Sequence, residues 1–260
     1  MIDQLLAKNA KVSVTQWTRL GANLENFALL IDCAYQGRAS CEYDLSTRSL
    51  LAALDVQLAD IEGWTCCGAS AAEATSALLA LALPARNLAL AERRGDSMDV
   101  LVPCSACYLN LRTVAEKMRS NAPLAAQINS VLGAEQLHLD GRLRVRHLLD
   151  VLAADVGPAA IRARVVQPLE GLRIAPYYGC QCLRPFADFD DPEMPISMEP
   201  LIRATGAGVF AWKMGGRCCG ASHMSTQREV GTVLVAGILE AAQGADAIVT
   251  VCPMCQMNLE

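Results

Sequence analysis

One arrangement of five cysteines occurs twice in this chain, and a duplicated ligand set limits the possible folds more than any other feature. The first set is Cys33, Cys66–Cys67, Cys104 and Cys107; the second is Cys180, Cys218–Cys219, Cys252 and Cys255. Corresponding members stand 147 (Cys33 to Cys180), 152 (Cys66 to Cys218) and 148 (Cys104 to Cys252) residues apart, so only loop lengths differ. The flanks repeat as well. Cys66-Cys67-Gly68-Ala69-Ser70 returns letter for letter as Cys218-Cys219-Gly220-Ala221-Ser222, and Asn110-Leu111 matches Asn258-Leu259. A repeat this long implies a duplicated domain.

The apolar pattern supports that division. Ala28–Asp32 and Leu172–Pro176 are short apolar runs that lead into the first cysteine of each copy. Val100–Val102 and Ala247–Val251 lead into each Cys-x-x-Cys, and all four read as strands. Helical patterns lie between them, over Ser46–Leu54, Ala71–Ala82, Ala85–Arg94, Tyr108–Arg119, Pro200–Thr205 and Arg228–Ala242, with Pro84 expected to break or kink the long Ala-rich stretch. Strand alternating with helix predicts an α/β fold in two pseudo-repeated domains, each a small, mostly parallel sheet with flanking helices. The expected layout is an N-terminal extension (1–26), a first domain (27–120), a helical connector (121–171, with patterns at Ala125–Leu132 and Val145–Leu152) and a second domain (172–260). Thr205-Gly206-Ala207-Gly208 lacks the spacing of a dinucleotide loop and reads as a turn.

Composition narrows the setting. Twelve cysteines would suggest disulfides in a secreted chain. However, Met1–Val12 has no basic-then-apolar signal pattern, and the longest apolar run, Ala77–Leu83, is far short of a membrane span. The expectation is a cytoplasmic protein in which clustered cysteines serve as metal ligands or redox centres. A net charge of −5 offers no field to hold nucleic acid. Charged residues make up 19% of the chain, below the usual share of about 25%, which predicts surface hidden against partner subunits.

Thiolates bind soft metals, and four suffice for zinc, so zinc is the plain alternative for any Cys-x-x-Cys. Two features oppose it here. Each copy offers five ligands, and side chains of adjacent residues on an extended backbone point to opposite sides. A cysteine doublet therefore needs a tight turn, which Gly68 and Gly220 can supply, or a cofactor large enough to be approached from two directions. The closing pairs sit where a strand passes into a helix, where backbone N–H groups favour thiolates. A thioredoxin-like dithiol would need one such pair. Cys41 and Cys182 have no counterparts and read as buried, inert thiols, although Cys182 lies close enough to Cys180 to replace it as a ligand. His147 reads as structural and His138 as surface. His223, just after the second doublet, is a candidate proton donor to a departing thiolate.

The pattern Cys-x32-Cys-Cys-x36-Cys-x2-Cys, then Cys-x37-Cys-Cys-x32-Cys-x2-Cys, resembles the cysteine-rich CCG domain. With Val145-Arg146-His147-Leu148-Leu149, Tyr178-Gly179-Cys180, Phe189-Asp190-Asp191-Pro192-Glu193 and Cys252-Pro253-Met254-Cys255, the chain more closely resembles the B-type subunits of heterodisulfide reductases, which carry two such domains. The resemblance implies two non-cubane [4Fe-4S] clusters. Cys33, Cys66, Cys67, Cys104 and Cys107 would hold one, and Cys180, Cys218, Cys219, Cys252 and Cys255 the other. It implies cleavage or formation of a disulfide or sulfane-sulfur bond between the clusters, within a complex that also contains a ferredoxin-like iron–sulfur subunit and a flavin-containing subunit. The alternative reading is an iron–sulfur electron-transfer subunit of a quinone-linked succinate, lactate or glycolate dehydrogenase.

Overall fold

The structure is a computed structural model that describes residues 27–29, 38–95 and 99–260. In chain order the elements are β1 (Phe27–Leu29), α1 (Arg38–Ala53), β2 (Leu58–Asp60), α2 (Ala71–Thr75), α3 (Ala77–Arg93), β3 (Asp99–Val102), α4 (Ser105–Ser120), α5 (Ala122–Leu132), β4 (Val145–His147) and α6 (Leu148–Val151). They continue with α7 (Gly157–Arg164), β5 (Arg173–Tyr177), α8 (Met198–Ala204), β6 (Gly208–Val209), α9 (Arg228–Ala241), β7 (Ala247–Thr250) and α10 (Pro253–Leu259). The N-terminal extension lies outside the described residues.

Two parallel sheets form, as the alternating pattern predicts. The first has the order β2-β1-β3-β4 and the second β6-β5-β7, with every pairing parallel. Parallel strands need crossover helices, which cover their faces, so β3 reads Asp-Val-Leu-Val and buries three residues in succession rather than alternating. One set of buried side chains runs through both repeats, from Leu51 and Leu88 through Leu111 and Ile128 to Tyr177, Ile202 and Ile238.

Three expectations are corrected. The Ala-rich helix does not break at Pro84. It passes through that proline, and the break comes earlier, at Ser76, whose backbone is extended and whose Oγ accepts the Leu79 N–H at 3.3 Å. Val145 does not begin a helix: Val145–His147 pairs with β3 as a fourth strand, and the helix starts at Leu148. The segment read as a connector thus also completes the first sheet. Two short edge strands, β2 and β6, add to the expected ones, because two or three residues carry no period.

The cysteines gather because of strand polarity. β1, β2 and β3 in the first repeat, and β5, β6 and β7 in the second, each run toward the segment that carries a motif cysteine. Parallel strands deliver all their carboxyl ends to one edge, where α/β sheets bind ligands. The two repeats are tied across this edge by polar contacts. Arg112 of α4 forks onto Asp188 at 2.7 and 3.0 Å and covers the Phe186 ring at 4.6 Å. Tyr108 donates to the same carboxylate at 2.5 Å.

Candidate metal centre

The doublets occupy equivalent turns. Gly68 and Gly220 have φ of +86° and +78°, in the left-handed region, and their N–H groups donate back to Cys66 Sγ (3.2 Å) and Cys218 Sγ (3.3 Å). The turn folds each doublet so that its second cysteine points inward. Cys67 and Cys219 are almost fully buried, whereas Cys66 is half-buried and Cys218 exposed. The matched asparagines now have a role. Asn110 Nδ2 donates to the Ala69 carbonyl at 3.1 Å and to that of Cys67 at 3.3 Å, and Asn258 Nδ2 donates to the Cys219 carbonyl at 2.7 Å. The helix opened by each Cys-x-x-Cys thus clamps its own doublet.

Asn87, buried in α3, fixes the approach to the first doublet by donating to the Thr65 carbonyl at 2.7 Å and accepting the Thr65 N–H at 2.9 Å. Sequence reasoning passed over it; the only signal was one amide in an otherwise Ala- and Leu-rich run.

The inward thiols meet. Cys67 Sγ lies 3.3 Å from Cys107 Sγ, and Cys219 Sγ lies 3.6 Å from Cys255 Sγ, at equivalent places in the two repeats. Cys104 acts on Cys107 and Cys252 on Cys255 within each closing pair, and Cys104 and Cys252 lie near each other across the repeat boundary, where Ser105 Oγ donates to the Val251 carbonyl at 2.9 Å. Cys180 pairs with Cys218 beside it. A cleft of about 50 Å³ opens on the second set, lined by Cys180, Cys218, Cys219, Cys252 and Cys255, with Ser70 and Ala106 of the first repeat on the opposite wall. Cys33 lies outside the described residues, as does the side chain of Cys41.

Thiol acidity divides along the motif. Hydrogen bonds from Cys107 and Cys66, helped by the Ala69 backbone and Asn110, pull Cys67 down to about 3. Cys218 falls to about 6, chiefly through Cys180 and then the Gly220 amide, with His223 and Arg184 adding positive charge; Cys219 is lowered through Cys255. The closing pairs behave otherwise. Cys252 rises to about 12 beside Cys104, and Cys107 and Cys255 are raised by neighbouring thiols and burial. The expectation that helix starts would make the closing pairs acidic is therefore corrected for Cys107, Cys252 and Cys255, where the neighbouring thiols and burial outweigh the helix N–H groups. The more acidic thiols are Cys67, Cys218 and Cys219.

Cys182 does not line the cleft. Its thiol donates to the Tyr178 carbonyl at 3.2 Å, and burial raises it to about 12, whereas Cys180 lines the cleft. Cys182→Ala is expected to leave the bound iron unchanged, and Cys180→Ala to lower it, as measured by iron analysis of the two purified variants. Equal losses from both would reverse the assignment. Among the histidines, His138 is exposed and pairs with Asp140 at 3.3 Å. His223 is exposed in the turn after the second doublet, and His147 is fully buried.

The geometry fits a thiolate-bound inorganic centre. The second repeat brings five thiols to one cleft, and the first repeats its doublet turn and closing pair. Among the described residues no three His, Cys, Asp or Glu side chains converge as they would on a single ion. Residues 28–112 and 174–260 each match the CCG cysteine-rich domain. The chain belongs to the CCG cysteine-rich domain family.

Its two CCG domains have named relatives. The chain is 35% identical over 240 residues to the 8-methylmenaquinol:fumarate reductase membrane anchor subunit of Wolinella succinogenes, which covers 91% of this chain and 82% of that one. It is 30% identical over 224 residues to the B-type subunit of the ferredoxin/F(420)H(2)-dependent CoB-CoM heterodisulfide reductase of Methanosarcina acetivorans, which covers 83% and 73%. A hypothetical protein from Helicobacter pylori shares the fold, with a TM-score of 0.66 at 16% identity over 91% of this chain and 43% of its own. Among the described residues no helix is long and apolar enough to cross a membrane.

Proposed function

We propose that this chain is the catalytic subunit of a heterodisulfide reductase-like complex that cleaves or forms a disulfide or sulfane-sulfur bond at two non-cubane [4Fe-4S] clusters. The meeting of the two cysteine sets at the repeat boundary carries this reading. Two independent metal sites would be buried apart within their own domains, whereas here the segments that carry Cys104 and Cys252 are joined by the Ser105–Val251 hydrogen bond at 2.9 Å, and one cleft is lined by both repeats. Cys66, Cys67, Cys104 and Cys107, with Cys33, would hold one cluster. Cys180, Cys218, Cys219, Cys252 and Cys255 would hold the other.

When bound, the clusters supply one-electron transfer and iron that accepts a substrate sulfur. The chain's own residues do the rest. The Asn110 and Asn258 clamps hold the doublet turns at a fixed distance from the closing pairs. Ser70 and Ala106 wall the second site, so anything entering the cleft meets both repeats at once. Splitting a disulfide consumes two electrons and two protons and yields two thiols. The exposed His223, beside Cys218, is placed to pass a proton to a leaving thiolate. Electrons would come from a ferredoxin-like iron–sulfur subunit, itself served by a flavin-containing subunit.

The identity to the fumarate reductase anchor favours a second reading, an iron–sulfur electron-transfer subunit of a quinone-linked fumarate or succinate enzyme. One experiment separates them. The complex is purified without oxygen, oxidised in the presence of a single thiol, and examined by electron paramagnetic resonance. Disulfide chemistry predicts a signal that appears only with the thiol and changes when the thiol carries ³³S. A signal indifferent to thiol, together with reoxidation by a quinone, would establish the quinone-linked reading, and zinc in place of iron would end both.

A further inference from the structure

His147 takes no part in the chemistry above, yet it is fully buried and both of its ring nitrogens are engaged. It closes β4 and caps α6, where Nδ1 accepts the Leu149 N–H at 3.1 Å. Phe189 of the second repeat stacks on the ring (5.8 Å between centroids, 10° between planes), and Tyr108 meets it edge-on at 5.4 Å. Nε2 lies 3.2 Å from Ser105 Oγ, and that oxygen lies 2.9 Å from the carbonyl of Val251.

The partners assign the protons. A nitrogen that accepts an amide N–H carries no hydrogen, so in the neutral ring the hydrogen is on Nε2. A carbonyl cannot donate, so the Ser105 hydroxyl must point to Val251, leaving its lone pair for His147. The chain of hydrogen bonds therefore runs one way only, from His147 Nε2–H to Ser105 Oγ and from Ser105 O–H to Val251. Ser105 directly follows Cys104, and Val251 directly precedes Cys252. The relay thus joins the two backbone segments that carry Cys104 and Cys252.

We propose that His147 and Ser105 are positioning residues that lock Cys252 of the second repeat to the β4 edge of the first, and so set the separation of the two sites. The link exists in the protein itself, and only its consequence for the clusters rests on the function proposed above. Two variants cut it at different points. Ser105→Ala removes the middle of the relay. His147→Asn keeps an oxygen able to cap Leu149, because asparagine is a good N-cap, but is too short to reach Ser105.

The test follows each cysteine separately. The full-length protein is incubated without oxygen with an iron chelator and iodoacetamide, and alkylation is timed at every cysteine by peptide mass spectrometry. Both variants are expected to speed alkylation of Cys252 about tenfold, because losing the lock lowers the cost of local opening there, while Cys67 keeps its rate. The double variant should add little to either single one, since both cut the same chain of hydrogen bonds. An unchanged Cys252, or faster reaction at all buried cysteines alike, overturns the proposal. A protein that holds no iron would sink the cluster reading and leave this test intact.

Discussion

Exchanging Cys219 for serine should lower bound iron from about eight to about four atoms per chain and abolish turnover, with Cys67→Ser giving the same halving from the other side. Cys219 is the inward member of its doublet, 4% exposed and 3.6 Å from Cys255, and the other thiols that line the cleft are assigned to the same site. A serine hydroxyl is nearly isosteric, but it is a hard, weakly acidic donor that binds iron far less well than a thiolate. The fold should survive, because the residue follows the sheet rather than forming part of it. Iron and acid-labile sulfide analysis of both variants, beside a melting curve, tests this directly. Full iron in either variant would remove that cysteine from the ligand set. Loss of all iron from a folded single variant would mean that the two sites fill only together.

The second large effect is expected at the doublet glycines. A Cβ added at Gly68 would stand 2.4 Å from Ala72 Cβ and 3.1 Å from Leu83 Cδ1, on a backbone with φ of +86°. Strain in the left-handed region costs about 1–3 kcal/mol, and forcing a methyl group into packed side chains costs about 1–3 kcal/mol more. Gly68→Ala should therefore lower the melting temperature by roughly 5–15 °C and release the first site's iron. At Gly220 the added Cβ would meet Gly231 Cα at 2.9 Å, a backbone atom that cannot swing aside, so the second site should fail in the same way. Gly63 is the control. It has a similar φ of +75° but nothing within 4 Å, so alanine there should cost only the backbone strain and leave both sites loaded. Equal effects at Gly63 and Gly68 would show that close packing around the doublet is unimportant.

Much of this site was legible without coordinates because ligand chemistry leaves a strong trace in sequence. The doublets, the closing pairs and the matched asparagines recur with little change, and parallel α/β units follow from apolar runs that stop just before cysteines. The misreadings have local causes. At Pro84 the general rule that proline breaks helices lost to a serine cap that set the boundary earlier, at Ser76. At Val145 a mixed apolar run suited strand and helix alike, and only pairing with β3 decided between them. The acidity of Cys107, Cys252 and Cys255 was misjudged because burial and packed neighbouring thiols, both local and distant in sequence, outweigh the helix start.

Sequence alone determined that the cysteine motif is duplicated, which cysteines make up each copy, and that glycine must follow each doublet, since all of these depend on residue type and near neighbours. Only the tertiary structure decided how the two copies meet. The approach of Cys104 to Cys252, the different surroundings of Cys182 and Cys180, and the His147–Ser105–Val251 relay all depend on packing that no local pattern encodes. They exist because two parallel sheets present their carboxyl edges to each other, and chain spacing does not encode how two such edges meet.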